Sequence, residues 1–138
     1  MNPAIKIVRP DEIVPRTPPT RRVFVPLPNG GDPNIMMGFV FMDAGGLMTP
    51  CHFHNIRTEY YFVLRGSGII TLDGVDHALD QSCTVVVPPG VTHIWRNPHR
   101  TPLEYLWVMT PNEAENDIVN VPTPPHILTE EPWRTTHA

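Results

Sequence analysis

The stretch GGLMTPCHFHNIRTEYYFVLRGSG, residues 45–68, places two histidines and a glutamate within eight positions. Side chains on a strand alternate between two faces, so His52 and His54 share one face while Cys51 and Phe53 take the other. Glu59 follows His54 by five residues, the wrong parity for one continuous strand. The polar segment NIRT between them can turn the chain, which lets Glu59 re-enter from the neighbouring strand. Two imidazoles and a carboxylate then converge.

A fourth partner is expected from PPGVTH, residues 88–93, where a rigid Pro88-Pro89-Gly90 turn delivers His93 inward. Three imidazole nitrogens and one carboxylate oxygen suit Fe(II), Mn(II), Ni(II), Zn(II) or Co(II). An octahedral ion held by four such ligands keeps two positions open. A structural zinc site would be closed, usually with thiolates, and Cys51 is expected to face away.

Around this cluster the chain reads as strand, turn, strand. NIMMGFVFMD, EYYFVLRGSGIITLDG, CTVVVPPG, THIWRN and TPLEYLWVMTP are short runs rich in β-branched and aromatic residues. Turn residues punctuate them, and the Asp73-Gly74 pair is a strong hairpin signal. The pattern predicts an all-β antiparallel sandwich or small barrel. No segment sustains a helical period; PNEAEND, residues 111–117, could make one helical turn.

Composition sets wider bounds. The 138 residues suffice for one domain with its own core, and 41% hydrophobic content is ordinary for a globular chain. A formal charge of −4 without a basic block argues against nucleic acid as the partner. No apolar run is long enough to span a membrane, and the first residues lack a secretory apolar stretch. Cys51 and Cys83 do not form a CxxC pair, and two free thiols in a reducing cytoplasm are expected.

Proline is concentrated at the ends, with seven in residues 8–34 and five in residues 110–133. Proline cannot donate to a central strand or continue a helix, so both ends are expected to be extended arms. Scattered apolar residues in the arms favour docking on the domain or on a second subunit. The expected division is an arm over 1–34, a barrel over 35–110 and an arm over 111–138.

The arrangement Gly46, five residues, His52-x-His54, four residues, Glu59, six residues, Gly66 resembles the first cupin motif at every fixed position. Pro88-x-Gly90, two residues, His93, three residues, Asn97 resembles the second. Ser82 stands where that motif begins with glycine, a turn position that ligates nothing. The resemblance implies a single double-stranded β-helix, or jelly-roll barrel, of the small bacterial type. It also implies a metal held by His52, His54, Glu59 and His93, and such cupins often form homodimers.

Parity places further side chains. Tyr61 shares a face with Glu59 and could donate a proton or clamp substrate; Glu59 itself could also move a proton. Trp95 shares a face with His93 and is expected inward, as pocket wall or core filler, and with Tyr105 and Trp107 it is a candidate substrate contact. Leu103, Tyr105, Trp107 and Met109 form the more apolar face of their strand, so Tyr105 and Trp107 are expected inside. Arg57, in the turn, could meet a substrate carboxylate at the mouth, although a solvated turn arginine is the plainer reading. His77, His99, His126 and His137 are expected at the surface, and Met36, Met37, Met42 and Met48 in the core, with one or two lining a pocket.

The sequence carries no dinucleotide fingerprint, P-loop or nucleophile elbow. An aromatic, apolar interior with few positive charges disfavours a sugar phosphate. It favours a small chelating substrate such as a diketone, hydroxyketone, phenol or keto acid. The first expectation is a non-haem dioxygenase using one divalent metal per chain, Fe(II) before the other ions. A lyase, isomerase or cyclase working through a metal-stabilised enolate comes next, and a binding module without turnover comes third.

Overall fold

The computed structural model describes residues 5–27 and 32–130. The expectations for residues 1–4, 28–31 and 131–138, His137 among them, lie outside the described residues. The strands are β1 (Arg21–Phe24), β2 (Met36–Met42), β3 (His52–His54), β4 (Thr58–Arg65) and β5 (Gly68–Leu72). They continue with β6 (Val75–Leu79), β7 (Thr84–Val87), β8 (His93–Arg96), β9 (Leu103–Thr110) and β10 (Ile118–Asn120). One five-stranded sheet has the order β1-β2-β9-β4-β7, and the other has β10-β3-β8-β5-β6. All pairs are antiparallel, and the two sheets enclose one core. This is the expected jelly roll.

Alternation sets the inner face of each strand. In β9, Leu103, Tyr105, Trp107 and Met109 are buried, while Glu104, Leu106 and Val108 face outward. Val40 and Met42 of β2 and Tyr61 and Val63 of β4 are buried on the same side of their sheet. Ile70 and Trp95 close the core from the other sheet. Burying each such side chain contributes about 1.5–3 kcal/mol.

Turn chemistry sets the register. Asp73 and Gly74 take φ of 47° and 81°, the left-handed pair of a tight hairpin between β5 and β6. Ser82 has φ of 71°, a conformation that favours glycine, so the departure from the motif is absorbed as a strained serine. Its amide donates to the Val63 carbonyl at 2.8 Å and anchors the turn.

Both sheets extend beyond residues 35–110. β1 from the N-terminal segment pairs with β2, and β10 from the C-terminal segment pairs with β3. PNEAEND forms bends and a turn instead of a helical turn. Its Asp117 accepts hydrogen bonds from the backbone amides of Ile56 and Arg57, which ties the segment to another loop. A short helix, α1 (Pro125–Leu128), and a 3₁₀ turn at Pro10–Glu12 form instead.

The C-terminal segment also explains why β8 is buried on both faces. Outward-facing Arg96 donates to Thr71, to Asp76 and to Glu130, and His126 lies 3.0 Å from Asp76. Ile127 between them is buried. Among the described residues no helix is long and apolar enough to cross a membrane.

Candidate metal centre

β3 presents His52 and His54 from the second sheet, and β8, paired with it at His52–His93, adds His93. Glu59 comes from β4 in the opposite sheet, not from a neighbouring strand as the sequence suggested. The turn at residues 55–57 therefore carries the chain across the barrel. One ligand atom from each of the four residues lies within 4.8 Å of all the others. The Nε2 atoms of His93 and His54 stand 3.0 Å and 3.5 Å from Glu59 Oε1.

The other ring nitrogens decide what this cluster needs. His52 Nδ1 is 2.9 Å from the Pro50 carbonyl, and His93 Nδ1 is 3.0 Å from the Val91 carbonyl. His54 Nδ1 is 2.7 Å from the Asp117 carboxylate. Those partners only accept, so each Nδ1 carries a proton, and a ring in its neutral form turns an Nε2 lone pair inward. Three lone pairs and a carboxylate then face one another with no donor among them. His54 Nε2 is buried without a hydrogen-bond partner. A divalent cation would satisfy all four groups, and the outer hydrogen bonds fix the orientation of the rings.

Burial pushes the Glu59 carboxyl up, but the close His54 and His93 imidazoles and the Tyr61 hydroxyl outweigh it and bring the group down to about 2. Burial lowers His52. At His54 burial acts in the same direction, but Glu59 and Asp117 overcome it and raise the imidazole. Tyr61 donates to Glu59 Oε1 at 2.6 Å. Burial, followed by the Glu59 charge, holds that phenol well above its ordinary value.

The cluster opens into a cavity of about 640 Å³, within the usual range for small-molecule sites. Tyr61, Tyr105, Trp107, Met36, Met48 and Met109 supply much of its wall. The Trp107 indole reaches this position because Gly38, its partner on β2, has no side chain; a Cβ there would lie 2.3 Å from Trp107 Cζ2. Trp95 is not a wall residue. It is fully buried, stacked on Tyr105 at 4.8 Å between ring centroids and edge-on to Tyr61 at 5.5 Å.

Charge in the cavity differs from the sequence expectation. Arg16, Arg21 and Arg57 all line it, so the interior is not poor in positive charge. Arg57 is buried instead of solvated: it donates to the Asn112 carbonyl and lies 3.7 Å from Asp117. Arg16 and Arg21 lie in the N-terminal segment, outside both motifs, where sequence spacing carries no signal. Asp117 was likewise missed; the acidic run NEAEND held it without distinguishing one carboxylate from the next. His77, His99 and His126 lie away from the cluster, as expected.

A family model described as the Cupin domain matches residues 38–109, just over half of the 138-residue chain. The chain belongs to the cupin family. Among solved structures, this cupin is similar to Pac13, a nucleoside dehydratase from Streptomyces. The TM-score is 0.71 at 18% identity, over 86% of this chain and 92% of that one. It is similar also to KdgF from Halomonas sp., with a TM-score of 0.69 at 17% identity, over 82% and 98% of the two chains. These likenesses show the shared barrel alone.

A curated relative, mannose-1-phosphate guanylyltransferase of Klebsiella pneumoniae, is 28% identical over 90 residues. That alignment takes in 64% of this cupin but only 19% of the relative.

Proposed function

We propose that this cupin is a metal-dependent enzyme that moves protons on a small oxygenated substrate, as a lyase, isomerase or cyclase. His52, His54, Glu59 and His93 would hold one divalent ion per chain, for which Fe(II), Mn(II), Ni(II), Zn(II) and Co(II) all suit the donors. The observation that carries the reading is the convergence of three imidazoles and a carboxylate within 4.8 Å of one another, inside a cavity of substrate size. A divalent ion bound there supplies a Lewis acid for a substrate carbonyl.

The chain's own residues do the rest. Tyr61 is the proton donor, since burial beside Glu59 keeps its hydroxyl protonated within reach of the cavity. Glu59, which takes that hydrogen bond, can relay the proton. Tyr105, Trp107 and Met109 pack the apolar body of the substrate and exclude water. Pac13, similar in fold, is a dehydratase, which supports non-redox elimination ahead of oxygenation.

A second reading is a non-haem dioxygenase, favoured by a three-histidine, one-carboxylate set that suits Fe(II) beneath an aromatic and apolar wall. The experiment loads the protein with each ion under argon and follows deuterium uptake into hydroxyketones, diketones and keto acids. Proton exchange without oxygen, cut at least tenfold by Tyr61→Phe at unchanged metal content, is expected. Product formation only with matching oxygen uptake would transfer the assignment to the dioxygenase. A bound ligand with no turnover in either atmosphere would make the protein a binding module.

A homodimer is the proposed assembly. Tyr60, Phe62, Leu64 and Val86 leave an exposed apolar face on the outside of the first sheet. A cytoplasmic setting suits its two free cysteines.

A further inference from the structure

The N-terminal segment does more than extend a sheet. Arg16 and Val23 exchange backbone hydrogen bonds of 2.9 Å and 2.8 Å, which fold residues 16–23 into a loop at the cavity. Thr20, with φ of 66°, and the Arg21 amide bonded to the Pro18 carbonyl make the turn. On β1 the side chains then alternate. Arg21 and Val23 line the cavity, whereas Arg22 faces outward with its guanidinium over Phe24 and Phe41, 5.9 Å and 5.2 Å from the ring centroids.

Arg21 is incompletely satisfied. Its Nη2 reaches the Thr49 carbonyl at 3.4 Å, and its Nη1 is buried without a hydrogen-bond partner. A guanidinium stays charged at any physiological pH, so the group cannot relieve this by losing a proton. Among the described residues neither Arg16 nor Arg21 has a carboxylate within ion-pair distance, whereas Arg57 is held by Asp117 and Asn112. The cavity wall thus carries three arginines against one carboxylate, Glu59. Glu59 is itself engaged by two imidazoles and Tyr61.

We propose that Arg21, with Arg16 on the same cavity wall, is the receptor for an anionic group on the substrate, a carboxylate or a phosphate monoester. This rests on the reading of the cavity as the substrate site and narrows its substrate class. The molecule carries oxygens for the histidine cluster and an anion for the arginines. Its apolar body packs against the Met36, Val40 and Trp107 that line the same cavity. A guanidinium meets either anion through paired N–H donors, and the low-polarity walls strengthen the contact.

The test uses the full chain, metal-free and Co(II)-loaded, in NMR titrations with benzoate, phenyl phosphate and benzyl alcohol. Wild type is expected to bind one or both anions at least about tenfold more tightly than the neutral alcohol. Arg21→Gln abolishes that preference, and Arg22→Gln, on the outer face of the same strand, keeps it. Tighter benzoate assigns a carboxylate, tighter phenyl phosphate a phosphate monoester. Equal binding of anion and alcohol, or a preference that survives Arg21→Gln, overturns the proposal. If Arg21→Gln does not fold, Arg16→Gln at an exposed position decides: a preference reduced about threefold or more supports the receptor, and an unchanged one overturns it.

The metal reading fails separately. A chain that retains no Co(II) yet prefers the anions keeps the arginine receptor and loses the metal centre. A chain that retains Co(II) and shows no preference does the reverse.

Discussion

His54 Nδ1 lies 2.7 Å from Oδ2 of Asp117, a residue 63 positions further along the chain. Asp117 is fixed in turn by the amides of Ile56 and Arg57, at 2.7 Å and 3.0 Å from its Oδ1. The loop that carries Glu59 across the barrel is therefore pinned by the same carboxylate that orients His54. Asp117→Asn keeps the shape but weakens the acceptor on Nδ1, so the ring is held less firmly and is less basic. Metal affinity should fall by about 10- to 100-fold. Competition against a chromophoric chelator measures it, and an unchanged affinity would remove Asp117 from the site.

Gly38 leaves the space that the cavity-lining Trp107 indole occupies. A methyl group at Gly38 must displace the indole, because the backbone of β2 is held by β1 and β9 on either side. Gly38→Ala is expected to cost about 1–3 kcal/mol in urea unfolding and to shift the tryptophan emission. Adding Trp107→Phe should recover part of the loss. Wild-type stability in the single variant would show that the ring moves freely.

The Asp76–Arg96 ion pair makes stability depend on acid. Hydrogen bonding to Arg96 holds the Asp76 carboxyl well below its ordinary 3.8, against a smaller opposing effect of burial. A depressed folded-state value contributes stability that is fully present above the unfolded value. That contribution is lost as pH falls below about 4 towards the folded value. Thermal unfolding from pH 7 to pH 2 should show an acid limb that Asp76→Asn flattens, with lower stability than wild type at pH 7. Parallel curves for the two proteins would count against the ion pair.

The outer face of the first sheet offers a test of assembly. Phe62 of β4 pairs in register with Leu106 of β9, and Leu106 with Phe39 of β2. Phe62→Glu places a charge in the middle of that apolar stripe and should convert a dimer to a monomer in light scattering, with the metal still bound. A wild-type chain that runs as a monomer at every concentration would end the dimer proposal.

Much of this was legible beforehand because strands have period two. Spacing alone put His52 with His54 and Tyr105 with Trp107, and the structure places each pair on one inner face. The Pro88-Pro89-Gly90 turn and the Asp73-Gly74 hairpin also mark themselves, since few residues tolerate those backbone angles. Trp95 shows the limit of parity. It faces inward as expected, yet it sits behind Tyr105 in the packed interior, because parity gives a face and not a depth.

What the sequence determined by itself is therefore local: strand faces, tight turns and the two motifs with their four candidate metal-binding side chains. The tertiary structure decided what depends on distant segments meeting. It set Glu59 on the sheet opposite the histidines, brought Asp117 behind His54 and folded Arg16 and Arg21 over the cavity. Chain spacing cannot encode these meetings, because each depends on how two sheets close around one core and where the proline-rich segments dock on them.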